Sequence, residues 1–367
     1  MKARALVQYA AEHFELQELD VPPVGSADGL LRVEACGLCG TDIEQFHARQ
    51  KYLTPASFPM IPGHEMVGII EEIGLQAGQA WGVSAGDRVV VAPHLVCNRC
   101  TYCLRGDSHL CKGIFPLPRS QYGFMPLAYG HGLWGGYSEY LPLHPATRLW
   151  KVPPNIPAPV AAMYQALAAG LRWAVHVPRT AAADTVLVLG CGQRGLACVV
   201  ALRAAGVEEI IVTGLSRDRH KLAEARRLGA RHTIVVDEED TVESVMAITG
   251  GRGVEVAVDV APGSVRPFLD AVDVMSTGGT IVVAGLKDGA PAALDTNRLV
   301  YKEVTIRGVF TQQLEFYGRA VELLTERFAV LEPLHTHDFP LEDLAGAIAV
   351  MSGERAGVES VCVTLRP

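Results

Sequence analysis

The chain has 367 residues, of which 49% are hydrophobic and 20% are charged, and its formal net charge is −8. This length is greater than that of a usual single-core domain and predicts two domains of roughly 150 to 200 residues. The acidic balance, without any Lys/Arg run, argues against nucleic acid or an anionic membrane as a partner.

Export and membrane insertion are not predicted. The N-terminal segment MKARALVQYAAEHFELQEL lacks the apolar core and cleavage site of a signal peptide. The longest apolar run, Ala158 to Leu171, falls short of the roughly 18 residues that indicate a membrane span. Nine cysteines in such a chain favour metal binding over disulfides. The sequence therefore predicts a soluble, cytoplasmic protein.

The chain has two regions with different sequence patterns. Up to about residue 155, short β-type runs such as MVGIIEEIG and DRVVVAP alternate with Gly and Pro, which predicts a loop-rich, mainly-β domain. From Asp184, apolar strands alternate with helical stretches, which predicts an α/β domain with a doubly wound parallel sheet. The last segment, GVESVCVTLRP, predicts a strand that rejoins the first domain. The predicted boundaries are 1–156 with 311–367 for the first domain and 157–310 for the second.

The segment CNRCTYCLRGDSHLC carries four cysteines with the spacing CxxCxxCx7C. Four thiolates at this spacing can close a tetrahedron around zinc with no open position. An iron–sulfur cluster could also use four cysteines, but the polar residues between them suit zinc better. The segment predicts a structural zinc site at Cys97, Cys100, Cys103 and Cys111.

The turn GCGQRG, with Gly190, Gly192 and Gly195, follows an apolar strand and opens a helix. In that context a GxGxxG motif indicates a dinucleotide pyrophosphate at the helix N-terminus. The alternative is a glycine-rich turn that binds nothing.

The second strand of this domain ends in Gly214, where NAD-binding folds usually carry an acidic residue for the adenosine ribose. With Ser216, Arg217 and Arg219 close behind, the segment favours a 2′-phosphate and hence NADP. The alternative is that the two arginines are solvated residues at the start of the next helix.

Cys39 is followed 25 residues later by the pair His64 and Glu65. A histidine by itself is more often structural than a ligand. Cys36 lies three residues before Cys39, so the two cysteines could also form a redox pair or half of a zinc knuckle. The combination with a separate four-cysteine lobe and a dinucleotide fold favours a second metal site.

In this order, CGLCGTD, GHEMVG, GDRV, the four-cysteine lobe and GCGQRG resemble the zinc-containing medium-chain alcohol dehydrogenase family over essentially the whole chain. The resemblance implies a GroES-like catalytic domain and a Rossmann coenzyme domain, with two zinc ions per chain and NADP or NAD as cofactor.

The resemblance also assigns roles to single residues. Cys39 and His64 would ligate a catalytic zinc, with Glu65 as an exchangeable or neighbouring carboxylate and Asp42 orienting the imidazole. Thr41 would hydrogen-bond the substrate oxygen and start a proton relay. Such a zinc can bind an alcohol oxygen and lower its pKa. Cys36 matches no ligand position.

Two positions depart from the family pattern. Gln165 stands where a further Cys or Glu ligand is usual, so zinc would have a weak amide oxygen, a closer Glu65 or extra water. Some sugar-oxidising relatives use an amide there, and the alternative is a plain helix residue. Glu44 stands where many relatives carry a relay histidine, and His47 follows three residues later. Protons could leave through either residue, and Glu44 could instead bind a substrate hydroxyl or face solvent.

The predicted function is oxidation of a secondary alcohol, cyclic or not, to a ketone by NAD(P)+. Aromatic residues in the segment Tyr122 to Tyr140 would suit a bulky or cyclic substrate, although core packing is the expected role of most of them. A polyol, sugar or amino-alcohol dehydrogenase of the same family is the alternative. A non-catalytic, zinc-stabilised nucleotide-binding protein is the alternative from another class. The predicted partners are a small alcohol or ketone and further copies of the chain in a homodimer or homotetramer.

Overall fold

The structure is a computed structural model that describes residues 1–49, 58–115 and 120–367. The described residues form two compact units. The first unit comprises Met1–Gln165 and Gln313–Pro367, and the second comprises Ala166–Gln312. The boundaries predicted from the sequence, 156/157 and 310/311, lie nine and two residues before the limits of these units.

The strands of the described segments are β1 (Lys2–Ala10), β2 (His13–Asp20), β3 (Gly29–Gly37), β4 (Met66–Ile73), β5 (Arg88–Val91), β6 (Tyr140–Leu143), β7 (Leu149–Lys151), β8 (Thr185–Leu189), β9 (Glu209–Gly214), β10 (His232–Val235), β11 (Val254–Asp259), β12 (Met275–Val283), β13 (Thr305–Gly308), β14 (His335–Pro340) and β15 (Cys362–Arg366).

The α-helices of the same segments are α1 (Gly40–Phe46), α2 (Leu75–Trp81), α3 (Thr101–Leu104), α4 (Ala158–Ala161), α5 (Tyr164–Gly170), α6 (Gln193–Ala204), α7 (Arg219–Arg227), α8 (Thr241–Ile248), α9 (Arg266–Val274), α10 (Thr296–Lys302), α11 (Leu314–Glu326), α12 (Phe328–Leu331) and α13 (Leu344–Met351). A π-helical stretch, Leu171–His176, continues from α5. Within the described ranges, no helix is both long and apolar enough to cross a membrane.

The second unit contains a parallel sheet with the strand order β10-β9-β8-β11-β12-β13. Counted from β8, this is the 3-2-1-4-5-6 order of a dinucleotide-binding fold. Central strands such as β8 are buried, as expected for a sheet covered by helices on both faces. Ligands of such sheets bind outside the carboxyl ends of the strands where the winding reverses, here between β8 and β11.

The first unit is built on a mixed sheet with the order β14-β15-β3-β4-β5-β7, and β6 also pairs with β3. Strand β3 is antiparallel to β4, β6 and β15. The C-terminal strand pairs Thr364 with Gly37, which places the end of the chain beside the end of β3. Buried side chains such as Leu31, Met66 and Leu365 form the core of this unit. The segments after β3 and before β4 extend from that core.

Candidate active site

Strand pairing in the first unit brings Cys39 and His64 together. Strands β3 and β4 are antiparallel, and Cys36 near the end of β3 faces Met66 at the start of β4. Cys39 therefore follows β3 at the same edge of the sheet where His64 precedes β4. The backbone N–H of Gly37 donates to the carbonyl of Glu65 at 3.0 Å, which ties the two segments together.

The donor set of this site fits a zinc ion. Cys39 Sγ lies 3.2 Å from His64 Nε2, close to the separation of about 3.6 Å that tetrahedral zinc with usual bond lengths requires. One ligand atom from each of Cys39, His64 and Glu65 lies within 4.8 Å of the others, and all three residues are buried. A thiol, an imidazole and a carboxylate are the ligands that zinc prefers.

Asp42 lies on the other side of the imidazole. Its Oδ1 is 3.5 Å from His64 Nδ1, and its Oδ2 accepts a hydrogen bond of 2.9 Å from the backbone N–H of Cys39 at the start of α1. Burial raises the pKa of Asp42, but the facing charge of His64 lowers it below its usual value overall. Burial lowers the pKa of His64, but Asp42 and Cys39 raise it well above normal. The carboxylate is therefore placed to orient the ring with Nε2 toward the metal position.

Gln165 reaches the same site from α5. Its amide Nε2 donates to the backbone carbonyl of His64, and its side chain is buried. The helix is anchored nearby, because the hydroxyl of Tyr164 donates to the carbonyl of Val91 at 2.6 Å. The amide of Gln165 therefore packs against the segment that carries two of the candidate ligands.

The predicted relay residues lie on α1 and just after it. Thr41 and Glu44 are half-buried, with Thr41 in the first turn after Cys39. His47 Nδ1 lies 2.6 Å from Glu12 Oε1, in the turn between β1 and β2. That contact directs the His47 ring toward Glu12, so its part in a relay stays a prediction.

The aromatic segment has two roles in the structure. Tyr122, Trp134 and Tyr137 are buried in the core of the first unit, as expected for most of these residues. Phe124 is half-buried, and its ring centroid lies 5.2 Å from that of His64. No motif singled out Phe124, because its neighbour His64 lies 60 positions earlier in the sequence.

Tyr137 was also missed by sequence reasoning. Burial and then the charge of Asp42 raise the pKa of its hydroxyl well above the usual value. The tyrosine follows a pair of glycines in a core segment, and nothing in that pattern points to the carboxylate beside it.

The four-cysteine lobe has the dimensions of a closed zinc site. Cys97 Sγ lies 3.5 Å from Cys111 Sγ and 3.9 Å from Cys103 Sγ, and Cys100 Sγ lies 3.6 Å from Cys103 Sγ. Tetrahedral zinc with four thiolates requires about 3.8 Å between sulfurs. Backbone N–H groups point at two of these sulfurs, for example from Cys100 to Cys97 Sγ at 3.3 Å, as suits thiolates.

The glycine-rich turn of the second unit forms a cradle for a dinucleotide. Gly190 has a φ of +106°, which an L side chain rarely adopts. A Cβ at Gly195 would lie 1.9 Å from the carbonyl oxygen of Gly190, so only glycine lets α6 pack on this turn. Around Gly192 a Cβ would meet nothing within 4 Å. That open face at the N-terminus of α6 fits a pyrophosphate.

The predicted 2′-phosphate residues lie at the end of β9 and just beyond it. Ser216 begins a short 3₁₀ turn, and its N–H and hydroxyl both donate to the carboxylate of Asp237. Arg219 pairs with Glu238. Arg217 Nε lies 3.9 Å from Asp218 Oδ2, and its side chain is 71% exposed. Carboxylates that sequence reasoning did not include therefore accompany this segment.

Comparisons with known proteins agree with this architecture. Residues 25–154 match the profile of the alcohol dehydrogenase GroES-like domain, and residues 195–326 match that of the zinc-binding dehydrogenases. A Mycobacterium tuberculosis protein named "Probable alcohol dehydrogenase adh" is 38% identical over 99% of this chain and 98% of its own length. The erythritol/L-threitol dehydrogenase of Mycolicibacterium smegmatis is 30% identical over 100% of this chain and 98% of its own length. A zinc-binding dehydrogenase from Sinorhizobium meliloti 1021, solved with NADP bound, superposes with a TM-score of 0.85 at 25% identity over the full length of both chains.

A GroES-like domain with a Cys–His–Glu site, joined in one chain to a Rossmann domain, defines a zinc- and NAD(P)-dependent oxidoreductase. The chain belongs to the zinc-containing medium-chain alcohol dehydrogenase family. It is an oxidoreductase of the alcohol dehydrogenase type, which confirms the predicted fold and enzyme class and the predicted zinc and NAD(P) cofactors. The non-catalytic alternative is therefore set aside.

Proposed function

We propose that this enzyme oxidises a secondary, cyclic alcohol to a ketone, with Cys39, His64, Glu65 and Gln165 around the catalytic zinc. The observation that carries the proposal is the short distance between Cys39 Sγ and His64 Nε2, with the Phe124 ring beside that imidazole. An apolar ring next to the metal position favours an alcohol with a hydrocarbon ring over a small polyol.

The residues around the metal position have separate roles in this reaction. A zinc ion held by Cys39, His64 and Glu65 would supply a Lewis acid for the substrate oxygen, and NAD(P)+ at the glycine-rich turn would supply the hydride acceptor. Asp42 holds the imidazole of His64 in orientation. The hydroxyl of Thr41 accepts the proton of the substrate hydroxyl as it donates its own proton onward, and Glu44 or His47 accepts that proton and releases it to solvent. The buried ligand set keeps bulk water away from the reacting atoms.

A comparison of two cysteine variants tests the site. Cys39→Ala should remove one zinc per chain and abolish turnover, while titration with NAD(P)H still shows binding. The matched control is Cys36→Ala, because Cys36 is equally buried only three residues away and belongs to no ligand set. Full activity in Cys39→Ala, or equal loss in both variants, would contradict the assignment.

The polyol alternative has its own support in the M. smegmatis relative, which is named for erythritol and L-threitol. The two substrate classes separate in a panel that compares cyclohexanol with erythritol by the ratio of kcat/KM values. Phe124→Ala should lower kcat/KM for the cyclic alcohol by about fivefold and change that for erythritol little, because an aromatic contact contributes on the order of 1 kcal/mol beyond its buried area. A higher kcat/KM for erythritol in the unaltered enzyme would favour the polyol.

The homo-oligomer and the cytoplasmic location remain part of this proposal. Strand β13 lies at an edge of the parallel sheet and is exposed along its length. On the preceding helix, Val300 and Tyr301 are 73% and 83% exposed. An open edge flanked by apolar side chains suits a second copy of the chain. Light scattering on the purified enzyme tests this, and a monomer at micromolar concentration would contradict it.

A further inference from the structure

Strand β9 cannot carry the carboxylate that usually binds the adenosine ribose. The strand ends at Gly214, where a Cβ would lie 2.5 Å from Cys191 Sγ and 3.0 Å from Leu222 Cδ2. Cys191 itself belongs to the glycine-rich turn, so a side chain at position 214 would force the side chains of Cys191 and Leu222 to move. An acidic residue for the ribose has to come from another element.

The neighbouring strand supplies one. Strands β9 and β10 are parallel, with Gly214 opposite Val235, and the N–H of Val236 donates to the carbonyl of Gly214 at 3.0 Å. Asp237 therefore follows β10 directly alongside the residues that leave β9. Its carboxylate accepts hydrogen bonds from the Ser216 N–H at 2.8 Å and the Ser216 hydroxyl at 2.5 Å.

These contacts change the electrostatics of the segment behind Gly214. Taken by itself, the segment places Arg217, Arg219 and Lys221 against a single carboxylate, Asp218. In the fold, Arg219 pairs with Glu238 and Lys221 Nζ lies 2.8 Å from Asp218 Oδ1. Hydrogen bonds from Ser216 hold the pKa of Asp237 below its usual value, so this carboxylate is ionised at neutral pH. A 2′-phosphate would approach a negative charge here.

We propose that Asp237 selects the dinucleotide, because its carboxylate accepts hydrogen bonds from the adenosine ribose hydroxyls of NAD and repels the 2′-phosphate of NADP. The preference for NAD opposes the one that the sequence segment alone suggests. It rests on the dinucleotide site of the proposed function but not on the identity of the alcohol. The contacts of Ser216 hold the carboxylate in place beside the end of β9.

Cofactor binding to the full-length, zinc-loaded enzyme tests the proposal without any alcohol. Fluorescence titration should give a Kd for NADPH at least about tenfold weaker than that for NADH. Asp237→Asn should tighten NADPH by about tenfold and weaken NADH, because the amide keeps an oxygen for Ser216 and removes the charge. Raising the NaCl concentration should reduce the difference between the Kd values for NADPH and NADH in the unaltered enzyme. The charge of Asp237 is exposed, and salt screens its repulsion of the 2′-phosphate.

Glu239→Gln is the matched control. Glu239 lies on the same exposed loop and also accepts from a backbone N–H and a serine hydroxyl, those of Val235 and Ser244. Its contacts stay with β10 and α8, so its replacement should leave the NADPH/NADH ratio unchanged. If Asp237→Asn folds poorly, Asp237→Glu tests the role of the charge instead, because it keeps a carboxylate and should retain the preference for NADH.

Three results would overturn the inference. The unaltered enzyme could bind NADPH as tightly as NADH, Asp237→Asn could weaken both cofactors by the same factor, or Glu239→Gln could shift the ratio as strongly. The second result would mean that Asp237 only braces the loop. Normal discrimination between NADH and NADPH with no turnover of any alcohol would instead contradict the proposed function and leave this inference standing.

Discussion

The imidazole of His64 lies between two buried groups, with Nδ1 3.5 Å from Asp42 Oδ1 and Nε2 3.2 Å from Cys39 Sγ. Asp42 therefore acts on the metal position through this ring and through its hydrogen bond to the Cys39 N–H. Asp42→Asn should weaken zinc binding at this site by about 10- to 100-fold, because the ring loses its charged acceptor. Competition with a chelator measures this, and the four-cysteine zinc of the same chain is the internal control. An unchanged zinc affinity would show that Asp42 serves only to cap α1.

Gln165 is the candidate ligand whose role is hardest to separate from packing. If its amide oxygen binds the metal, Gln165→Ala should shift the visible spectrum of the cobalt-substituted enzyme and lower metal affinity by about tenfold. Gln165→Glu retains an oxygen and should keep the coordination number. A spectrum that does not change in Gln165→Ala would leave the residue as a hydrogen-bond donor to the His64 carbonyl alone.

Thr41 is placed to handle the substrate proton. Thr41→Val removes the hydroxyl without changing the shape of the side chain and should lower kcat by about 10²-fold or more. Thr41→Ser keeps the hydroxyl and should retain most of the activity. Binding of NAD(P)H should be the same in both variants. Equal rates in the valine and serine variants would exclude Thr41 from the relay.

The four-cysteine lobe should hold a zinc ion that stabilises the fold without acting in turnover. Cys103→Ser should lose one zinc per chain and lower the free energy of unfolding by more than about 3 kcal/mol, because metal-binding free energy is folding free energy. Cys198→Ala, which changes a buried cysteine of α6 outside the lobe, should retain both ions. Two zinc ions per chain in Cys103→Ser would contradict the assignment.

His131 should make the enzyme sensitive to acid. Burial, together with the charge of His144, lowers its pKa to about 4, and its Nδ1 accepts a hydrogen bond of 3.1 Å from the Leu133 N–H. The unfolded chain, with a pKa near 6.5, therefore binds more protons between pH 6.5 and 4. The free energy of unfolding should fall across this range as pH falls, by more than about 1 kcal/mol from this residue.

Denaturant unfolding at several pH values checks that expectation. His131→Gln should flatten the pH dependence, whereas His13→Gln, which changes an exposed histidine, should leave it unaltered. A steep loss of stability that is the same in all three proteins would assign the effect to other groups.

The sequence by itself determined the family, the two domain types and the identities of the chemical groups. Each motif is formed by residues close together in the sequence, as in the four-cysteine segment and the glycines of GCGQRG. Its spacing therefore indicates the local chain geometry without knowledge of the fold. The pairing of Cys39 with His64 could also be anticipated, because the family motifs name both residues.

Only the tertiary structure decided which groups stand around those residues. Phe124 beside His64, the amide of Gln165 on the His64 carbonyl, and Asp237 on Ser216 all join positions 20 or more residues apart. These neighbours are set by strand order and register, since β10 lies beside β9 and brings Asp237 next to a segment that looked basic. The electrostatic potential at a site and the surface that contacts the substrate depend on all the groups close to it in space. They are therefore determined by the packing of the fold and not by the local sequence.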